Sequence, residues 1–319
     1  MDNWRLACAQ IFACGVWIHP PNWFIGWAAP DRRTLFAAER YGMTDLWTLT
    51  RGEGPVIVNV PHAGTVIPAA ISSRLTEAAH QNPDADWHVE KLYRSVAAGF
   101  SATLMCATHS RIVVDLNRDC AGGALYPGAS NTEICPLTTF HDEPIYARDA
   151  NPDATEIGTR VDEYWRPYHA RLDLEIERIK AHYGYCILLD GHSIVSVAPR
   201  FFPGKLPDLN LGTADGASCD AELAAAAFAV LASARGFSAV HNGRFKGGYI
   251  TRRYGQPADA VHALQLEMAQ SCYMDENDPG EYHVTRAAPL IGVLQSLVQC
   301  LTVWQPAPRG SKFSETAEK

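Results

Sequence analysis

The sequence predicts a three-layer α/β fold, a mostly parallel mixed sheet flanked by helices. Three observations predict it. Short, wholly apolar runs of the kind that buried parallel strands use recur along the chain. Stretches with helical spacing of apolar residues alternate with them. Polar and ionisable residues gather where the apolar runs end, the edge that carries the site in an open parallel sheet.

Taken in order, Pro55–Val60 (PVIVNV) is the first apolar run and stops at the turn PHAGT. Asp86 to Phe100 has helical spacing, with Val89, Leu92, Tyr93 and Val96 on one face. Ala102–Ala107 and Arg111–Leu116 read as two strands, the second running into Asn117 and Arg118. Cys120 to Pro152 is a long polar excursion containing Gly and Pro, of a kind that often serves as a lid. Asp153 to Tyr183 is the clearest helix. Asp153 is its N-cap with Glu156 three residues on; Ile157, Val161, Trp165, Tyr168, Leu172, Ile176 and Ile179 lie in its apolar stripe, and Gly184 closes it. Tyr185–Leu189 (YCILL) is the next strand and delivers Asp190-Gly191-His192-Ser193. A helix over Asp220–Arg235 follows, then short strands near Phe237–Val240, Gly248–Arg252 and His262–Glu267. An amphipathic helix over Thr285–Leu301 ends the domain, and the polar tail, residues 306–319, is predicted loose.

A chain of 319 residues can bury a sizeable core, and 47% apolar with 19% charged residues excludes disorder. The net charge of −8, with no basic tract, excludes nucleic acid as a partner. An anionic ligand would then need a locally cationic pocket. Nine cysteines scattered singly, without a CxxC pair, read as reduced thiols of a cytoplasmic protein. Residues 1–42 hold four of the eight tryptophans but are broken by His19, Pro20, Pro21 and Asn22. They lack the roughly 20 continuous apolar residues of a membrane span and the basic start of a secretory signal. Domain-like sequence opens at Met43. Residues 1–42 are therefore read as an extension outside a single domain spanning 43–305, an amphipathic anchor being the alternative. No membrane partner is expected, and nothing in the sequence bears on oligomeric state.

Four predicted strand ends deliver unusual polar groups: His62, Asp115 to Arg118, Asp190 to Ser193, and Glu267. A lone histidine after a strand is more often a hydrogen-bonded structural residue than a ligand. Glu267, alternating with Leu266 and Met268, is harder to dismiss, because a buried carboxylate is costly unless something compensates or uses it. Several such residues at one sheet edge favour a functional site.

PHAG at 61–64, DLNR at 115–118, DGHS at 190–193, GGYITRRYG at 247–255 and LQLEM at 264–268 resemble, in order and surroundings, the motifs of N-formylglutamate amidohydrolases. The resemblance covers roughly residues 50 to 300. It implies kinship with zinc carboxypeptidases and aspartoacylase-like deacylases, a phosphorylase/hydrolase-like fold, and one catalytic zinc. The implied reaction is hydrolysis of N-formyl-L-glutamate to formate and L-glutamate, a step of histidine degradation. Carried over by residue, His62 and His192 are the first and last zinc ligands. The position where carboxypeptidase-like enzymes place an acidic ligand is here Thr65, so the carboxylate must come from elsewhere. Asp86 is the choice, with Asp84, His88 and Glu90 as alternatives. Asp190, two residues before His192, orients a ligand from behind. Glu267 is the general base. Asn117 and Arg118 hold one substrate carboxylate or, as an alternative, the scissile oxygen.

Arg252 is then assigned to the other carboxylate. If Gly248–Tyr254 is extended, Tyr254 shares its face. Gly247 and Gly248 allow close backbone approach to a ligand, or a plain turn. Phe201–Pro203 and the 120–150 loop are further candidates for shaping the pocket. The remaining alternatives are a deacylase of another N-acyl amino acid and a non-catalytic binder of acidic amino-acid derivatives. Retention of His62, His192 and Glu267 together argues against the binder.

Overall fold

A computed structural model of the chain describes residues 46–123 and 131–307. The expectations for residues 1–42 and for most of the tail lie outside the described residues. The strands are β1 (Trp47–Thr50), β2 (Val56–Val60), β3 (Thr103–Ala107), β4 (Cys186–Ile194), β5 (Leu209–Gly212), β6 (Ala239–His241) and β7 (Val261–Ala269). They form one seven-stranded sheet in the order β1-β3-β2-β4-β7-β5-β6. The central strands β3, β2, β4 and β7 run parallel, β1 pairs antiparallel with β3, and β5 pairs antiparallel with β7. The sheet is thus mixed and mostly parallel, as the alternation predicts.

The helices are α1 (Ala69–Ser72), α2 (Glu77–His80), α3 (Val89–Gly99), α4 (Ala154–Arg160), α5 (Arg166–Tyr183), α6 (Ala221–Ala232), α7 (Tyr249–Tyr254) and α8 (Val284–Val303). The predicted Asp153 cap is present, its side chain accepting from Glu156 N at 2.8 Å, and Gly184 closes α5 in the left-handed region at φ 79°. Between α4 and α5 one π-helical stretch, Val161–Trp165, keeps the apolar stripe facing the sheet. One side of the sheet packs on α3, α6 and α8, the other on α4, α5 and α7. That makes three layers. α8 is long and apolar enough, by length and composition, to cross a membrane, and its Leu290, Leu294, Leu297 and Leu301 are fully buried in the shared core.

Two predicted strands are absent. Arg111–Leu116 is buried turn and irregular backbone, because β1 already occupies the edge beyond β3. Its side chains enter the core without joining a ladder. Gly248–Arg252 opens the short helix α7, since Ile250 and Tyr254, four residues apart, both face the core. β4 also runs further than Leu189, paired with β7 from Cys186↔Val261 to Ile194↔Ala269. The polar DGHS residues therefore sit on the strand itself.

Candidate active site

Strand alternation builds the site. On the side facing α5, the sheet shows Ile57 on β2, Cys186 and Leu188 on β4, and Val261 and Ala263 on β7. Continuing along the same face of the same strands come Asn59, then Asp190 and His192, then Gln265 and Glu267, all buried. Asn59 pairs in register with Asp190, Asp190 with Gln265, and His192 with Glu267. A cavity of about 560 Å³, counted to its open mouth, lies over this polar half and is lined by residues that include His62, Asp86, Asn117, Arg118, His192 and Glu267.

His62 follows β2, Asp86 lies in the loop before α3, and His192 stands on β4; one donor atom from each falls within 4.8 Å of the others. His62 Nε2 lies 2.8 Å from Asp115 Oδ1 and must donate to it, which leaves a lone pair on Nδ1. That Nδ1 is buried and has no hydrogen-bond partner, and neither has Asp86 Oδ1. His192 Nε2 meets Asp190 Oδ2 at 2.8 Å, and its Nδ1 meets Asp86 Oδ2 at 3.0 Å. Burial and the nearby Arg111 hold His62 neutral. Burial would also lower His192, but Asp190 and Asp86 outweigh it and raise it, so without an ion the ring is drawn toward the charged form, whose Nδ1 proton a bound cation would displace. The cluster thus demands a positive charge at the point where orphaned donor atoms converge. Two imidazoles and one carboxylate fit a divalent metal ion, with a position open for water or substrate.

Glu267 lines the cavity beside this cluster, directly across the ladder from His192. Burial raises its carboxyl to about 8, with Asp86 and Asp190 pushing the same way against His192 and Arg111. Asn117 Nδ2 lies 3.1 Å from His192 Nε2. If that nitrogen carries the proton given to Asp190, the contact sets donor against donor. The amide is oriented by Ile250 N, which donates to its Oδ1 at 2.8 Å. Gly248 makes room for it: a Cβ there would meet Asn117 Nδ2 at 2.2 Å. The close approach inferred for this glycine is therefore to Asn117. Arg118 lines the cavity with its guanidinium braced by Thr132 and its carbonyl accepting from Trp165 Nε1 at 3.0 Å.

Asp86, rather than its neighbours, joins the histidines. Asp84 accepts from Phe140 N, His88 Nε2 lies against the carbonyl of Pro279, and Glu90 pairs with Arg94 on the helix surface. Asp190 stands behind His192 as expected. Arg252 and Tyr254 are not brought to the site. In α7 Arg252 lies on the exposed side with its Nε donating to Gly247 O, and neither residue lines the cavity. Tyr254 is buried in the core, its hydroxyl 2.9 Å from His169 Nδ1. The extended-strand reasoning that paired them fails because the segment is helical.

Three residues escaped the sequence reading. Arg111 bridges to Asp115 at 2.6 Å and lines the cavity. Arg244 lines it too, its Nε donating to Phe201 O at 2.7 Å and its guanidinium over the Phe245 ring. Gln265 accepts from Gly248 N at 2.7 Å. The signal for Arg244 was an arginine in an Asn-Gly turn after a strand; for Arg111 and Gln265, a polar residue beside or within an apolar run. Phe201, one of the residues expected to shape the pocket, does line it.

The family model described as N-formylglutamate amidohydrolase matches residues 54–274. An N-formylglutamate deformylase of Pseudomonas putida is 44% identical over 262 residues, covering 82% of this chain and 97% of that protein. One of Pseudomonas aeruginosa is also 44% identical, with 82% and 98% covered. The crystal structure of an N-formylglutamate amidohydrolase from Ralstonia eutropha superposes with a TM-score of 0.68 at 27% identity, over 81% of this chain and 98% of that one.

Proposed function

The chain belongs to the N-formylglutamate amidohydrolase family, and on that premise we propose that it hydrolyses N-formyl-L-glutamate to formate and L-glutamate at a zinc ion held by His62, Asp86 and His192. The observation that carries the reading is the buried donor set, with His62 Nδ1 and Asp86 Oδ1 lacking any hydrogen-bond partner. Bound there, zinc would lower the pKa of its water toward about 7 and polarise the formyl oxygen.

The chain's own groups supply the rest. Glu267 takes the proton of the attacking water and passes it to the departing amine nitrogen as the C–N bond breaks. Its burial gives it the proton affinity a general base needs near neutral pH. Arg111 and the Asn117 amide, on the cavity wall, offer hydrogens to the oxygen that becomes negative as water adds. The substrate is a dianion. Arg118 takes one carboxylate, and Arg244 replaces Arg252 as the group for the other, since it lines the cavity that Arg252 does not. Asp115 and Asp190 hold the two imidazoles in the tautomers that turn Nδ1 toward the ion. Such a product suits the last step of histidine degradation, and the free thiols of the described cysteines suit a cytoplasmic enzyme.

The test is formate release from N-formyl-L-glutamate, beside N-acetyl-glutamate and N-formyl-methionine, with protein stripped by chelator and then restored with zinc. Zinc-dependent formate from the first substrate alone is expected. Formate released at an undiminished rate by the stripped protein would overturn the metal assignment. Zinc bound without any turnover would turn the reading to another acyl group or to a binder.

A further inference from the structure

A chain of buried hydrogen bonds crosses from helix α5 to His192. Tyr168 Oη donates to Asn59 Oδ1 at 2.7 Å, Asn59 Nδ2 donates to Asp190 Oδ1 at 2.7 Å, and Asp190 Oδ2 faces His192 Nε2 at 2.8 Å. Tyr168, Asn59 and Asp190 are at most 1% exposed. Asn59 is the one polar residue of β2, and it sits at the register position opposite Asp190, where the α5 face of the sheet turns from apolar to polar. A polar side chain in the middle of a five-residue buried strand is costly unless its hydrogen bonds do something an apolar residue could not.

The direction of each bond follows from the groups. Ionised Asp190 only accepts, so Asn59 must turn its NH₂ to it and its oxygen to Tyr168, and Tyr168 must donate. Tyr168 thereby removes the flipped amide: with Oδ1 toward Asp190, two acceptors would meet at 2.7 Å and the tyrosine hydrogen would face a donor. Asp190, held through one oxygen by Asn59, keeps the other for His192 Nε2–H. The imidazole then has its Nδ1 left for the cluster with His62 and Asp86. We propose that Tyr168 and Asn59 are positioning residues for the metal centre, acting through Asp190 to fix the orientation and tautomer of His192. Helix α5 thus acts on a ligand through two intervening side chains. The inference rests on the metal-centre reading above.

The experiment measures zinc affinity of the full chain by competition with a chromophoric chelator, for wild type, Tyr168→Phe, Asn59→Leu and the double variant, with the melting temperature of each metal-free protein alongside. Asn59→Leu should weaken zinc binding by about 10–100-fold, the range usual for losing a group behind a ligand. Tyr168→Phe should weaken it less, by about 3–10-fold, since the amide can still choose the correct side. Because the two act through one chain, Tyr168→Phe should add nothing in the Asn59→Leu background. A purely structural role would move the melting temperature and leave zinc affinity alone, and that result overturns the proposal. So does wild-type affinity in Tyr168→Phe, which keeps the ring and its packing should Asn59→Leu not fold. Wild-type protein that binds no zinc would instead overturn the metal centre itself.

Discussion

The two faces of the sheet differ along one line. Toward α3, α6 and α8 the strands are mostly apolar: Val56, Val58 and Val60, then Ile187 and Leu189, then Leu264, Leu266 and Met268, interrupted by His262 at the start of β7 and Ser193 near the end of β4. Toward α5 the same strands begin apolar and turn polar half-way, at Asn59, Asp190, His192, Gln265 and Glu267. Neighbouring residues of one strand thus serve different ends. Burial of Leu264 stabilises the domain, whereas burial of Glu267 costs free energy and sets a pKa. The difference teaches that this fold concentrates its destabilising groups on half of one face and holds them there with the other.

That comparison can be broken or sharpened by substitution. His192→Ala should remove the metal and all detectable turnover, read by metal analysis and formate release; retained stoichiometric zinc would sink the ligand assignment. Glu267→Gln should keep the metal and lower kcat by about 10²–10⁴-fold. An active Glu267→Gln enzyme would sink the mechanism. Leu264→Ala, three residues away on the opposite face, should behave in reverse: a loss of about 2–5 kcal/mol in denaturant unfolding, with KM and metal content unchanged in the folded fraction. Arg244→Met should raise KM by about 10-fold or more, while Arg252→Met changes it less than about 2-fold. Equal effects of the two would return Arg252 to the substrate site alongside Arg244.

The smallest effect is on pH. Glu267 must be ionised to accept a proton, so kcat/KM should rise with pH across its titration. A cation bound beside it favours the ionised form, so this limb should lie below about 8 in the loaded enzyme. In the metal-free protein the folded state keeps a proton that the unfolded state has already lost. Stability should therefore fall as pH rises from about 4.3 to about 8, and Glu267→Gln should fall less over the same window. Melting temperatures of the two proteins across that window check the sign.

Much of the fold was legible because its central strands are short apolar runs and its longest helix carries its own cap and stop. β5 escaped because its four residues, Leu-Asn-Leu-Gly, give too short an alternation to stand out, and β1 because its edge position leaves it half exposed. Residues 111–116 misled because an apolar run reports burial and not hydrogen bonding. Within the site, His62, Asp190, His192 and Glu267 could be picked from strand patterns, because ionisable residues beside buried runs conflict with the local environment.

By itself the sequence determined the alternation of layers, the sheet edge that carries the chemistry, and most of the groups that meet there. Tertiary structure alone decided that Asp86 and not Asp84 completes the cluster, that Arg244 rather than Arg252 enters the cavity, and that Tyr168 reaches His192 through two intervening side chains. The physical reason is range. Periodicity and capping act over a few residues and leave a local pattern, whereas these choices depend on distances between groups such as His62 and Asp86, 24 positions apart, and Asn59 and Asp190, 131 apart, which only the packed chain sets.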